Sequence, residues 1–189
     1  MNAITEVRAV LIPIDRYPSV RDTATLREAI RVIESAQLEV KLRKSLPRCL
    51  LVFDGIGVMV GYVRRRDIMR GLEPRFLLTK PLEYRGKPFD IAIDPNLSEL
   101  PFDRMVKAIR NQADRQVSEV MRPIEAILKA DDHITKAVSI MVSLDLSLIP
   151  VLDGNELVGV VRSVDVFQEL AKLVDPALDG PGQGTYQEI

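Results

Sequence analysis

The sequence predicts an α+β protein built from two pseudo-symmetric β-α-β-β-α units packed together. Three observations carry this expectation. "GYVRRRDIM" (Gly61–Met69) returns as "GVVRSVDVF" (Gly159–Phe167), 98 positions later. The match extends outward over most of the chain, with offsets that change only between elements. Each copy also shows the same succession of hydrophobic patterns, first helical and then extended. A repeat of about 100 residues is too long for a solenoid and indicates a duplicated small domain.

The elements follow in order. "VRAVLIPI" (Val7–Ile14) lies over "VSEVMRPI" (Val117–Ile124), aligning Val7 with Val117, Val10 with Val120 and Pro13 with Pro123 at an offset of 110. This is the opening strand. At an offset of 108, "VRDTATLREAI" lies over "LKADDHITKAV". Leu26, Ala29, Ile30 and Ile33 recur at helical spacing behind Thr23 or Thr25 as cap. Ile134, Ala137, Val138 and Met141 do so behind Asp131 or Asp132. The first copy then carries nine more residues than the second before its next strand. A hairpin follows in each: "CLLVFD" and "VMVGYV" around "GIG", and "LIPVLD" and "ELVGVV" around "GN". The closing helix is short in "RDIMRGL". In "SVDVFQELAKLV" it is longer, with Val164, Phe167, Leu170 and Val174 on one stripe. A unit of about 60 residues is small to stand alone, so two together make the stable object.

The copies are expected at 1–70 and 117–175, with a connector at 71–116 and a tail at 176–189. The connector is Pro-rich, with one extended piece, "FDIAI", and one helix at about 101–113. Phe102, Met105, Val106 and Ile109 stand there at i, i+3, i+4 and i+7 behind Ser98 and Pro101. The Gly- and Pro-containing tail is expected to lack regular structure.

The chain has 189 residues, 47% hydrophobic and 28% charged, which is the composition of a globular protein. Its 26 Lys and Arg against 27 Asp and Glu leave a net charge of −1, so neither nucleic acid nor a membrane surface is an expected partner. Any polyanion site must be local. The one cysteine, Cys49, excludes an intrachain disulfide. The N-terminus lacks a basic, uninterrupted apolar leader, and a cytoplasmic location is the expectation. His133, the one histidine, reads as a helix-start residue. Asp131 and Asp132 lack a third ligand at suitable spacing, so no metal site is expected. Met59, Met69, Met105, Met121 and Met141 fall on apolar stripes and read as core or interface. No P-loop, GxSxG or HExxH motif is present and no enzymatic activity is expected. An enzyme using Asp90, Asp94 and Glu99 of the connector is the alternative from that class.

The repeated phrase carries chemistry of its own. A strand that turns into a helix near Ser163 leaves backbone N–H groups where the helix dipole favours an anion. Arg162 adds a planar cationic fork suited to phosphate, and Asp165 an acceptor suited to a ribose diol. Together they specify a nucleotide, and Arg64 and Asp67 repeat the pattern with Arg48 as further charge. The alternative is architectural. An Asp in the first turn satisfies the helix start, and an Arg three residues before it can fold back as an ion pair that closes the site.

With "VSEVM" at its start, "IPVLD" before the hairpin and "GVVRSVDVF" at its end, the unit resembles the CBS domain, the second copy closely and the first more loosely. The resemblance covers both copies and not the connector. It implies a tandem pair, or Bateman module: a non-enzymatic regulatory sensor that binds an adenine nucleotide or adenosyl ligand in the clefts between its two CBS-like units. AMP, ADP, ATP and S-adenosylmethionine are the implied ligands, with no cofactor required. A homodimer and a separate effector protein are the implied partners, and the exposed stripes of the closing helices agree with the first. In the family, the second hairpin strand ends in Gly-h-h-Thr/Ser-x-x-Asp, where the hydroxyl approaches phosphate and the Asp holds the ribose. Asp67 and Asp165 match; Arg64 and Arg162 stand in the hydroxyl place, and Ser163 comes one residue later. The base-contacting strand corresponds to Leu146, Ser147 and Leu148, and in the first copy to Pro47, Arg48 and Cys49. The other side of the base corresponds to Ala126 and Ile127, and to Pro18 and Ser19. The alternative reading is a structural dimerisation or protein-interaction module with no nucleotide ligand.

Overall fold

A computed structural model of the chain describes residues 5–40, 43–74 and 102–175. The elements are β1 (Ile12–Pro13), β2 (Ser19–Arg21), α1 (Leu26–Ser35), β3 (Leu38–Val40), β4 (Arg43–Ser45), β5 (Cys49–Phe53), β6 (Met59–Arg64) and α2 (Arg65–Leu72). They continue with α3 (Phe102–Gln112), β7 (Arg122–Pro123), β8 (Leu128–Lys129), α4 (Ile134–Leu144), β9 (Leu148–Asp153), β10 (Glu156–Arg162) and α5 (Ser163–Val174). The extended piece "FDIAI", the carboxylates Asp90, Asp94 and Glu99, and the tail 176–189 lie outside the described residues.

Two compact units emerge, and they are not two contiguous copies. One, the central unit, is residues 18–123; the other, the split unit, joins 1–17 to 124–189. The reason lies in the lead-in segments, each of which folds onto the other copy's hairpin. In the split unit β1 pairs antiparallel with β10, placing Pro13 opposite Gly159. In the central unit β7 pairs with β6 in the same register, placing Pro123 opposite Gly61. The sheets are accordingly β1-β10-β9-β8 and β2-β5-β6-β7.

The two glycines of the repeated phrase are explained by this docking. A Cβ at Gly61 would run into the carbonyl oxygen of Arg122, and one at Gly159 into that of Ile12. Only a residue without a side chain lets the lead-in strand approach so closely.

Matching hydrogen bonds fix the lead-in turns. Val7 N–H donates to the Asp132 carbonyl (2.8 Å), Arg8 N–H to Ala130 (3.0 Å), and Ile134 N–H to Thr5 (2.9 Å). In the central unit Val117 N–H donates to Ala24 (2.8 Å), Ser118 N–H to Asp22 (3.0 Å), and Leu26 N–H to Arg115 (2.9 Å). Val7 and Val117 are fully buried, each in the core of the unit it docks into. Such a side chain contributes roughly 1.5–3 kcal/mol.

The helix starts differ. Thr25 caps α1 with its side chain accepting from Glu28 N–H (3.2 Å), while the Glu28 carboxylate accepts from Thr25 N–H (2.7 Å). For α4 the expectation of an Asp131 or Asp132 cap is corrected: exposed His133 holds the N-cap position without a side-chain cap bond. Asp132 instead accepts from Lys129 N–H (2.8 Å) and from Lys136 Nζ (2.8 Å), closing the turn before the helix. The nine-residue excess of the first copy is accounted for by the two-stranded β3–β4 ribbon between α1 and β5. Among the described residues no helix is long and apolar enough to cross a membrane.

Candidate functional site

Each unit has one strand-to-helix corner where the repeated phrase turns, and the local sequence builds both alike. Arg64 and Arg162 sit at the N-cap positions of α2 and α5 in extended conformation, with φ/ψ of −90°/157° and −102°/148°. The first helical N–H of each corner is taken by the hairpin's other strand: Arg65 N–H donates to the Arg48 carbonyl (3.2 Å), and Ser163 N–H to that of Ser147 (2.9 Å). Asp67 and Asp165 stand at the third helical position, where a carboxylate meets the positive end of the helix dipole.

In both corners the arginine folds back onto the aspartate, so the expectation of a guanidinium open to phosphate is corrected in favour of the closed, architectural arrangement. Arg162 donates through Nε to Asp165 Oδ2 (2.7 Å) and through Nη2 to Oδ1 (2.8 Å). Arg64 does the same to Asp67, at 2.8 Å and 3.0 Å. This is the bidentate fork of a guanidinium on a carboxylate, made possible by the spacing of three across the cap. The side chains of Arg162 and Asp165 are 10% and 7% exposed; those of Arg64 and Asp67 are 25% and 3%.

The corners part company in what else reaches the carboxylate. Asp67 also accepts from Arg64 N–H (3.2 Å) and from Arg122 Nε (3.3 Å). Four donors thus converge on a group with about four lone-pair positions. Burial pushes the Asp67 carboxyl upward, but the Arg64 side chain, its backbone N–H and its charge, followed by Arg122, outweigh that and hold it below the usual range. Asp165 accepts only the two Arg162 bonds among the described residues. Arg122 was not singled out from the sequence. The signal was present, since it is the repeat equivalent of Ile12, which is buried against β10. A cation at a position that is apolar in the other copy marks a difference in function or pairing.

The other expected contacts distribute as follows. In the split unit Leu148 opens β9 directly opposite Arg162, Ser147 is exposed beside it, and Leu146 is buried in the core. Ala126 packs partly buried against that core, and Ile127 is half exposed. In the central unit Arg48 and Ser19 are exposed; Ser19 lies opposite Leu51 in the sheet, two residues along β5 from Cys49. Among the described residues no cluster of three His, Cys, Asp or Glu side chains is arranged to hold a metal ion.

The sequence matches the CBS domain family over residues 7–74 and 117–172. No curated relative matches it. Solved structures share the fold at low identity. A CBS domain-containing protein of unknown function from Kribbella flavida aligns with a TM-score of 0.62 at 16% identity, covering 88% of this chain and 98% of that one. CBSX2, solved in complex with AMP, aligns at 0.56 and 14% identity over 89% of this chain and 98% of its own. The cytosolic domain of the Mg2+ channel MgtE, solved with ATP, aligns at 0.53 and 18% identity over 88% of this chain and 49% of its own.

Proposed function

The chain belongs to the CBS domain family, and from that premise we propose that it is a non-enzymatic regulatory module that binds an adenine nucleotide or related adenosyl ligand at the Arg162–Asp165 corner. The observation that carries this reading is that Asp165 accepts two hydrogen bonds among the described residues. Its two bonds from Arg162 occupy one lone-pair position on each oxygen, and the other two suit the adjacent hydroxyls of a ribose. The Arg162 guanidinium is turned onto Asp165 in this structure, so a phosphate at the start of α5 would be met by the helix dipole and would share or displace that pairing to reach the arginine. Ser147 and Leu148, which close the same corner, and neighbouring Ala126 and Ile127 are the residues offered to the base.

The AMP and ATP complexes of two proteins with this fold support the ligand class. A ligand that binds one conformation of the module better than another shifts the population by that difference alone, which is how a module without catalytic groups regulates a separate effector protein.

The second reading, architecture without ligand, is favoured in the central unit. There Asp67 has its acceptors filled and Arg48 replaces the small residue of the other corner. Titration calorimetry with AMP, ADP, ATP and S-adenosylmethionine tests the proposal. Heat for at least one of them, at one site per chain, is expected; silence with all four, together with no shift in melting temperature, overturns it.

A further inference from the structure

The chain is near neutral, but residues 18–123 carry 20 Lys and Arg against 14 Asp and Glu, a net +6. Part of that excess surrounds an apolar hollow. The helix α3 belongs to the connector, outside the repeat, and packs on α2. A surface helix ordinarily buries its apolar stripe, yet none of Phe102, Met105, Val106 and Ile109 on α3 is buried.

The two helices are held in place from below. Arg27 donates to the Arg110 carbonyl at the end of α3 (3.0 Å) and pairs with Asp114 (2.8 Å). Arg115 ties the same stretch to α2 by donating to the Gly71 carbonyl (3.2 Å). Between the helices remains a shallow cavity of about 540 Å³. Met69, Leu72, Pro74 and Ile109 make its apolar wall, and Met69 is 63% exposed. Arg66 and Arg70, one helical turn apart, line it as well, together with Glu73. Both arginines are exposed and form no ion pair among the described residues. The same is true of Arg104, Lys107 and Arg110 on α3, against exposed Asp103.

We propose that the α2–α3 cavity docks an acidic segment of a separate protein, one large apolar side chain entering between Met69, Leu72 and Ile109 while flanking carboxylates meet Arg66 and Arg70. Charge complementarity selects the sign of this occupant. Shape selects its class. A hollow walled by thioether and aliphatic groups takes a projecting side chain and offers a phosphate no donor of its own. Glu73 at the rim and Asp103 on α3 interrupt the positive field, which suits discrete carboxylates rather than the evenly spaced charge of a nucleic-acid backbone. The proposal is independent of whether the Arg162–Asp165 corner takes a nucleotide.

Fluorescence anisotropy on the full chain tests it, with no nucleotide present and a labelled synthetic peptide of Glu and Ala around one central Phe as the probe. Saturable binding is expected at roughly 0.05 M salt. Replacing the peptide's Phe by Ser should weaken Kd about tenfold or more, the least that burying such a side chain contributes. Arg66→Glu/Arg70→Glu should weaken it by at least as much. Met69→Lys, which blocks the hollow while keeping the positive charge, should do so too. All three positions are exposed, so these variants are expected to keep the wild-type melt. Arg16→Glu/Lys129→Glu makes the same change in net charge at exposed positions of the other unit and should leave Kd unchanged. Absence of saturable binding overturns the proposal, as do equal losses in the two double variants, the mark of bulk charge alone. So does a Ser peptide that binds as well as the Phe peptide, or DNA or anionic vesicles held through Arg66 and Arg70 in its place. A wild-type dimer that Arg66→Glu/Arg70→Glu turns into monomer overturns it too, since a second copy then fills the hollow.

Discussion

The two corners are written in nearly the same letters and end in different electrostatic states. Around Asp67 a second arginine arrives from β7; around Asp165 the equivalent residue of β1 is Ile12, buried and apolar. That second arginine, together with the Arg64 backbone N–H, separates a carboxylate with four donors from one with two among the described residues. A duplicated phrase does not imply a duplicated site, because the side chain that completes each corner comes from the lead-in of the other copy.

Removing the arginines one at a time should expose that difference. Arg162→Ala has the largest expected effect. It leaves Asp165, 7% exposed, without its bidentate counter-ion, at a cost of roughly 3–5 kcal/mol in urea unfolding. Arg64→Ala leaves Asp67 with Arg122 and should cost about 1–2 kcal/mol. Arg122→Ala, in which Asp67 keeps the whole Arg64 fork, should cost about 0–1 kcal/mol, with Arg122 itself more than a third exposed. Equal losses for Arg162→Ala and Arg64→Ala would break the comparison.

A smaller effect is expected with pH. The folded Asp67 carboxyl lies below its unfolded value, so the unfolded state binds the proton first as pH falls. The stability it contributes is complete at neutral pH, begins to decline near the unfolded pKa of about 4, and is lost as pH falls through the folded value. Asp67→Asn should flatten that acid limb in unfolding experiments between about pH 5 and pH 2.5; an unchanged limb would show that Arg64 and Arg122 do not hold the charge.

Much of the fold was legible because periodicity and repeat spacing are local signals. Leu26 and Ile134 begin their helices, the hairpins form around "GIG" and "GN", and α3 occupies the stripe Phe102 to Ile109 inside the expected connector helix. The exchange of Val7 and Val117 between copies was not legible. Strands of two residues have no period to read, and their partners lie far along the chain, Ile12 opposite Val160 and Pro123 opposite Gly61. The β3–β4 ribbon announced itself only as a length excess. His133 displaced the expected Asp cap because Asp132 found backbone and Lys136 partners one residue earlier. At the site, the spacing of Arg162 and Asp165 allowed either an open or a closed corner, and only packing around a long side chain decides between them. Arg122 shows the same limit: the alignment placed it over Ile12, but not against Asp67.

The most direct measurement is titration of AMP into the wild type, Asp165→Asn and Asp67→Asn, with melting curves confirming that each is folded. The account predicts one site per chain in the wild type, loss of binding in Asp165→Asn, and wild-type binding in Asp67→Asn. Two equivalent sites per chain, or binding that survives Asp165→Asn and disappears with Asp67→Asn, would contradict it.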